Sequence, residues 1–332
     1  MISRVAEHCF WLSRYLERAE NTARILEVNQ TLVLDFALPF EQQWKPVLII
    51  SGIHDFEGSP DSETVQNLLT WDQDNPCSIA ASMSYARENA RIIREVISEE
   101  MWERVNFYYL WLHSPPAREM YDQNRGEFYG QIRRINQLIH GIGEATMFHG
   151  ESWDFQALGK FVERGIQTAR ILDVKYHLAT KRTDATEIEI DHAHWSAILK
   201  SCSAYEPFHK RAQQGLERRV GVAVAHFLVL EERFPRSVTH CVHQCQLAAA
   251  AIAAGAAAID QSEVDQQLHS LREWLHGEAI ESQIETHLHE SLTHVVDRLH
   301  DIGEAIRKTY FEFKPERYAE MAVSTRSQSS SK

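Results

Sequence analysis

The stretch WLSRYLERAENTARIL, residues 11–26, returns as ALGKFVERGIQTARIL at residues 157–172, and the two align without a gap. Half of the aligned positions are identical, including the pair Glu17/Glu163. In both copies apolar residues follow one another at intervals of three and four, which is the spacing of one helix face. The sequence therefore predicts the same long amphipathic helix twice.

Two shorter matches accompany this repeat in the same order along the chain. IHGIGEA at residues 139–145 resembles LHDIGEA at residues 299–305, about 160 positions later. Residues 76–78, PCS, likewise resemble residues 235–237, PRS. Three matches in one order favour duplication of a whole unit over a chance likeness between helices.

These patterns predict an all-α fold, a duplicated multi-helix bundle with a pseudo-two-fold arrangement of its two halves. No segment alternates apolar and polar residues over more than a few positions, so strands are not expected. We predict a first helical repeat at residues 1–150 and a second at 151–314, packed with the first as one globular unit. The C-terminal tail, residues 315–332, is expected to be disordered towards its end, because STRSQSSSK has too little apolar surface to fold.

Small residues occupy matching positions on the two copies of the first helix. Ala19 and Ala23 correspond to Gly165 and Ala169. Small side chains let helix backbones approach closely, so we predict that these two helices pack together near the pseudo-two-fold axis. Glycine costs about 1 kcal/mol of helix propensity relative to alanine, and close packing of the two helices would explain why a glycine occupies position 165.

Proline and polar residues suggest where other helices begin. Asn75 is a plausible N-cap with Pro76 in the first turn of a second long helix. A further amphipathic helix is predicted from about Glu119 to Phe148, and nothing interrupts the first helix before Pro39.

The charge balance excludes some classes of partner. Lys and Arg number 34 against 47 Asp and Glu, a formal charge of −13 that repels phosphate backbones, so no nucleic-acid partner is predicted. The first residues lack an uninterrupted apolar stretch, so neither a signal peptide nor a membrane partner is expected. Five cysteines form no disulfide framework, which suits a reducing compartment and a cytoplasmic location.

Acids and arginines concentrate on the two copies of the first helix. One interpretation is surface salt bridging between residues four apart. The other is a polar groove between helices, where arginine forks bind a carboxylate or phosphate and Glu17 orients them. The candidate ligand- or partner-binding residues on these helices are Arg14, Glu17, Arg18, Arg24, Glu163 and Arg164.

A second arginine cluster lies within ARENAR at residues 86–91. Arg87, Arg91 and Arg94 share roughly one helix face and repel one another unless acids or an anionic ligand compensate. Glu88 supplies such an acid locally, so ion pairing and ligand binding both remain open. The candidate binding residues here are Arg87, Glu88, Asn89 and Arg91.

Metal and cofactor motifs are weak. HCVHQC at residues 240–245 has ligand types at helical spacing, but Cys241 and Cys245 are equally well interpreted as small buried residues. A di-metal bundle requires Glu-x-x-His, whereas Glu290 and His294 are four apart. A glycine-rich phosphate loop and a GxSxG elbow are missing as well. We therefore predict no metal and no cofactor.

Three segments together resemble the alpha-E family, a bacterial domain of unknown function, over about residues 1–312. They are FWLSRYLERAENTARIL at 10–26, DNPCSIAASMSYARENARIIREVISEEMWERVN at 74–106 and TMFHGESWDFQALGKFVERGIQTARIL at 146–172. The Arg-x-x-Glu-Arg motif of the family corresponds to Arg14, Glu17 and Arg18, and its Arg-Glu-Asn-Ala-Arg motif to residues 87–91. In the second copy Lys160 replaces the usual arginine, and His149 stands where the family often has arginine, which weakens a bidentate anion role there.

The resemblance implies a functional context. Alpha-E proteins are encoded beside, or fused to, circularly permuted ATP-grasp proteins, which join a carboxylate to an amine through an acyl phosphate. It therefore implies a non-catalytic helical partner of such a ligase, in a peptide- or amide-forming system, that helps to position an amino-acid or peptide substrate. The alternative is an enzyme of the same pathway, with Glu17 or Glu88 as general base and neighbouring arginines holding a carboxylate or phosphate.

Overall fold

A computed structural model describes residues 3–38, 40–177, 185–212, 220–255 and 262–312. All regular structure within these ranges is helical, which confirms the all-α prediction. The predicted disordered tail lies outside the described residues. The helices are α1 (Ser3–Asp35), α2 (Phe40–Gln43), α3 (Lys45–Ile50), α4 (Ser62–Thr70), α5 (Ile79–Ile92), α6 (Glu99–Leu112), α7 (Pro115–Gln123), α8 (Arg125–Thr146), α9 (Glu151–His177), α10 (Ala185–Ser201), α11 (Tyr205–Ala212), α12 (Val220–Leu230), α13 (Val238–Gly255), α14 (Ser262–Leu275), α15 (Ile280–Thr286), α16 (Leu288–Ile306) and a π-helical turn (Arg307–Phe311).

Helices α1 and α9 form the centre of the molecule and pack along each other, as the repeated sequence predicts. On one side α5 and α8 pack against α1, and on the other side α13 and α16 pack against α9. Leu12 and Leu16 of α1 and Leu158 and Val162 of α9 belong to one continuous apolar core. The two central helices are therefore enclosed by the others, and their polar side chains are enclosed with them.

The residue that allows the closest approach of the central helices is Gly159, not Gly165. A Cβ at Gly159 would lie 2.1 Å from the carbonyl oxygen of Phe10, so the two backbones touch there. A Cβ at Gly165 would instead lie 2.9 Å from Cδ1 of Leu299 on α16. The expectation that Gly165 faces α1 was wrong, because the contact point lies about two turns earlier in α9.

Two predicted helix ends also differ from the structure. Ser78, not Asn75, caps α5: its Oγ accepts from the backbone N–H of Ala81 at 3.0 Å. Asn75 Oδ1 instead accepts from the backbone N–H of Cys77 at 3.0 Å and closes the preceding turn. The helix predicted from Glu119 to Phe148 is two helices, because Asn124 leaves the helical conformation and caps α8.

Within the described ranges, no helix combines the length and apolar character needed to cross a bilayer. The five cysteines are free thiols, and Cys9, Cys202, Cys241 and Cys245 are buried.

Candidate functional site

Arginines from the second half of the chain surround the carboxylate of Glu17, which is fully buried on α1. Arg164 on α9 donates from Nε to Oε1 at 2.9 Å and from Nη2 to Oε2 at 2.8 Å. Arg236, immediately before α13, donates from Nη1 to Oε1 at 2.9 Å. Charge-assisted, bidentate bonds of this kind are about twice as strong as neutral hydrogen bonds.

Glu163 on α9 is held in the reciprocal manner by arginines of α1. Arg18 donates from Nε to Oε1 at 2.8 Å and from Nη2 to Oε2 at 3.1 Å. Arg14 donates from Nε to Oε2 at 2.9 Å. The Glu-Arg dipeptide of each central helix therefore pairs with the Glu-Arg dipeptide of the other.

Both carboxylates stay ionised in this environment. Burial alone would raise the pKa of Glu17, but the charges of Arg164 and Arg236 outweigh it and place the pKa well below the ordinary value. Burial alone would also raise the pKa of Glu163, but the charges of Arg18 and Arg14 outweigh this effect, so its pKa is lowered. A carboxylate whose pKa lies well below its ordinary value is a weak proton acceptor at neutral pH, which makes it a poor general base.

Arg236 extends the buried network beyond the residues that the sequence suggested. Its Nη1 also donates to Oδ1 of Asn21 at 2.8 Å, and its Nη2 donates to Oε1 of Glu20 at 3.0 Å. Arg24 forms an ion pair with the same carboxylate of Glu20. The only sequence signal for Arg236 was its place in Pro235-Arg236-Ser237, which aligns with Pro76-Cys77-Ser78.

Glu17, Glu20 and His140 bring potential metal-ligand atoms within 4.8 Å of one another. The carboxylates already neutralise Arg164 and Arg236, and these guanidinium groups occupy the space that a metal ion would need. Burial and the charge of Lys160 lower the pKa of His140 to about 4, so its ring is neutral at pH 7. The cluster fits arginine, not a metal ion.

The cysteines of residues 240–245 are also poor metal ligands in this fold. Burial raises the pKa of Cys241 to about 12, and burial raises the pKa of Cys245 well above its ordinary value. Metal coordination requires a thiolate, so both thiols favour the structural interpretation. His240 points its Nδ1 to the carbonyl oxygen of Glu232 at 2.8 Å.

Beside Glu163 lies a cavity of about 170 Å³, which we call the arginine cavity. Six of the residues that line it carry ionisable side chains. They are Arg14, Arg18, Cys77, Glu163, Arg170 and His300. The backbone of Gly52, which has a φ of 80°, lies against the guanidinium group of Arg170, because a Cβ at Gly52 would lie 3.3 Å from Nη1 of Arg170.

The second arginine cluster lies apart from this network, on the outer surface of α5. Arg87 donates to Oδ1 of Asn106 at 2.8 Å and lies over the ring of Tyr109 at 4.7 Å. Glu88 accepts from Arg87 at 3.2 Å and from Arg91 at 3.0 Å. Asn89 donates to the carbonyl oxygen of Tyr85 at 2.7 Å. Of the predicted residues, five thus meet between α1 and α9, Arg24 joins their network through Glu20, and four form a surface group.

The two departures in the second copy make aromatic contacts. Lys160 lies 4.6 Å from the ring centre of Phe161, and the ring of His149 stacks on Trp153 at 4.3 Å. Lys160 has no carboxylate within ion-pair distance among the described residues.

The fold and its buried site define an all-helical domain built around reciprocal Glu-Arg pairs. The chain belongs to the Alpha-E family, described as a predicted α-helical domain with a conserved ER motif, which it matches over residues 1–311. Uncharacterised proteins of Mycobacterium bovis and Mycobacterium tuberculosis are 25% identical over 259 residues, which is 71% of this chain. The match spans only 28% of the length of each of these relatives. No solved structure matches the chain.

Proposed function

We propose that this protein is a non-catalytic helical partner of an ATP-grasp type ligase in a peptide- or amide-forming system, and that it helps to position the substrate of that ligase. The observation that carries the proposal is the outer surface of α5, where charged residues of the second cluster lie among exposed apolar side chains. We call this surface the α5 face and define it by Tyr85, Glu88, Arg91 and Ile92.

The α5 face has the composition of a binding surface. Tyr85 and Ile92 are 44% and 39% exposed, a high fraction for large apolar side chains on a helix with a well-formed buried side. Glu88 and Arg91 form an ion pair at 2.9 Å beside them, with side chains 50% and 56% exposed. Aromatic residues and arginine are enriched at protein interfaces, and an ion pair already in place needs little further ordering on binding.

The relatives give independent support for a partner. In the mycobacterial proteins the matched region is a minor part of a much longer chain. A domain that is joined to other sequence in its relatives is expected to work in contact with another domain. We propose that the present chain makes an equivalent contact with the ligase.

The buried network supports a scaffold in preference to the alternative, an enzyme with Glu17 or Glu88 as general base. Glu17 is ionised and bound by arginine through both oxygens. Glu88 is half-exposed, and its oxygens accept from Arg87 and Arg91. The pKa of Glu17 is lowered by the charges of Arg164 and Arg236, whereas a general base needs a pKa near the working pH. Glu88 lies on the open surface of α5 and not in a pocket that could hold a substrate.

We further propose that the two halves, residues 1–150 and 151–314, derive from one duplicated unit and face each other across a pseudo-two-fold axis. The reciprocal Glu-Arg pairs support this arrangement. So do two equivalent contacts: Thr22 Oγ1 donates to the carbonyl oxygen of Cys77 at 3.3 Å, and Thr168 Oγ1 donates to that of Arg236 at 2.8 Å.

The partner proposal is tested by co-expressing the tagged chain with an ATP-grasp ligase from the same organism and measuring their affinity and the rate of amide formation. Ile92→Asp on the α5 face should weaken binding at least about tenfold, because burying a new carboxylate in an interface is costly. Leu247→Asp is the matched control, since Leu247 is 52% exposed on α13. Equal binding by both variants, or no complex with the unaltered chain, would contradict the proposal.

A further inference from the structure

We propose that the arginine cavity binds a small oxyanion, a carboxylate or phosphate group, between Arg14, Arg18 and Arg170. The proposal is independent of the ligase partnership, because the cavity is formed by this chain alone. Three arguments support it: the charge of the lining, the difference between the two halves of the chain, and the size of the cavity.

The lining carries more positive than negative charge. Arg14 and Arg18 share the single carboxylate of Glu163. Arg170 has no carboxylate partner among the described residues, and its recorded polar contact is His300, 3.5 Å from its Nη2. Burial and the charge of Arg170 lower the pKa of His300, so this ring adds no charge that would change the balance at neutral pH. Three guanidinium groups thus face one carboxylate, and an anion would correct the difference.

The equivalent place in the other half of the chain is filled. There Arg236 reaches into the network and binds Glu17 and Glu20. The residue aligned with Arg236 is Cys77, whose short side chain ends at the carbonyl oxygen of Ser51, 3.3 Å from Sγ. The cavity therefore exists because a cysteine stands where the other half has an arginine.

A second substitution removes an acid from the cavity. The residue aligned with Glu20 is Ile166, which also lines the cavity. In the first half an extra acid attracts the arginine side chain, whereas in the second half that acid is absent and Arg170 remains. The first site already holds Arg236, which pairs with Glu17 and Glu20. The second site lacks both that arginine and that acid, and its three arginines face one carboxylate, so it fits an anion supplied from solution.

Cavity size limits the ligand. A water molecule takes up about 30 Å³ of the liquid, so a volume of about 170 Å³ corresponds to roughly six waters. A phosphate, a small acyl phosphate or the carboxylate end of an amino acid or peptide fits this volume.

The first test measures melting of the purified chain against inorganic phosphate and, separately, against N-acetylglycine, with ionic strength kept constant by sodium chloride. A bound anion should raise Tm in proportion to the logarithm of its concentration above Kd, by about 2 °C or more at about ten times its Kd. Arg170→Gln should weaken binding at least tenfold. Lys160→Gln, which removes a half-buried cation outside the cavity, should leave binding unchanged.

A response to phosphate alone identifies a phosphate-bearing ligand, and a response to N-acetylglycine alone identifies a carboxylate terminus. The proposal is overturned if neither anion shifts Tm beyond the chloride control. It is also overturned if Arg170→Gln and Lys160→Gln respond as the unaltered chain does, because the anion would then bind elsewhere.

A second test places the anion on the chain itself. Cys77→Glu introduces a carboxylate beside Arg18 and Arg170, and Cys77→Gln introduces a neutral side chain of the same shape. At pH 7 the Glu variant should melt above the Gln variant and should no longer bind added anion. A Glu variant that melts below the Gln variant would show that the cavity rejects negative charge, and the proposal would fail.

Discussion

Replacing Glu17 by glutamine tests whether the reciprocal Glu-Arg pairs hold the two central helices together. Glutamine keeps the shape of the side chain but removes its charge. Among the described residues Glu17 is the one carboxylate that pairs with Arg164, so Arg164 then loses this partner, while Arg236 keeps Glu20. Removing one partner of a buried ion pair costs about 3–5 kcal/mol, because the remaining charge is left without compensation.

We therefore expect Glu17→Gln to lower the free energy of unfolding by about 3 kcal/mol, the lower end of that range because Arg236 stays paired. At about 2–4 °C per kcal/mol, Tm should fall by roughly 6 °C or more. Glu88→Gln, on the exposed α5 face, should change the free energy of unfolding by no more than about 0.5 kcal/mol.

The assay is urea unfolding followed by far-ultraviolet circular dichroism and tryptophan fluorescence, whose agreement checks that the transition is two-state. The double variant Glu17→Gln/Arg164→Gln should lose at least about 1 kcal/mol less than the sum of the single variants, because it removes both charges. A Glu17→Gln variant as stable as Glu88→Gln would refute the reasoning, since the buried pairs would then contribute no more than a surface pair.

Three further predictions concern pH and packing. The folded pKa of Glu163 is below its ordinary value of 4.5, so the stabilisation by its ion pairs is complete above about pH 4.5 and is lost as pH falls. In urea unfolding, the difference in free energy of unfolding between the unaltered chain and Glu163→Gln should therefore shrink from pH 5 to about pH 2.5. His140 has a folded pKa of about 4 against an ordinary value of 6.5, so as pH falls the unfolded chain binds a proton before the folded chain does. The free energy of unfolding should therefore decrease between about pH 6.5 and 4, and His140→Gln should flatten this decrease in the same assay. Gly159→Ala should destabilise the protein by more than about 3 kcal/mol, because its Cβ would meet the backbone of Phe10. Gly141→Ala has open space around its Cβ and should stabilise the protein by about 0.5–1 kcal/mol. Thermal melts of the two variants measure both changes.

Local pairings were predictable from the sequence, but the pairings between helices were not. Residues four apart do meet: Asn21 Nδ2 donates to Glu17 Oε1 at 3.3 Å, and Arg24 pairs with Glu20. The same side chains were also open to interpretation as a solvated surface. Burial of Glu17 depends on which helices cover α1, and helical spacing gives only the face, not its neighbours.

Other features of the site depend on tertiary contacts that no motif announces. Arg236 looked like an ordinary residue before a helix, although its alignment with Cys77 was visible. Arg170 aligns with Arg24 in the repeat, but Arg24 pairs with Glu20, and the residue aligned with Glu20 is Ile166. Arg170 therefore has no carboxylate partner among the described residues. The predicted start of α5 was wrong because Asn75 and Ser78 are both good N-caps, and only the geometry of the turn decides between them.

The crosswise pairing leaves each half of the chain with an unbalanced interior. Glu17 finds its arginines only in the second half, and Glu163 finds its arginines only in the first. A chain cut near Gly150 would thus produce two fragments, each exposing charges that its own helices do not neutralise, and the fragments should recover their structure only by recombining. If the two halves derive from one duplicated unit, as proposed above, that unit would have met the same requirement through a second copy of itself in a symmetric dimer.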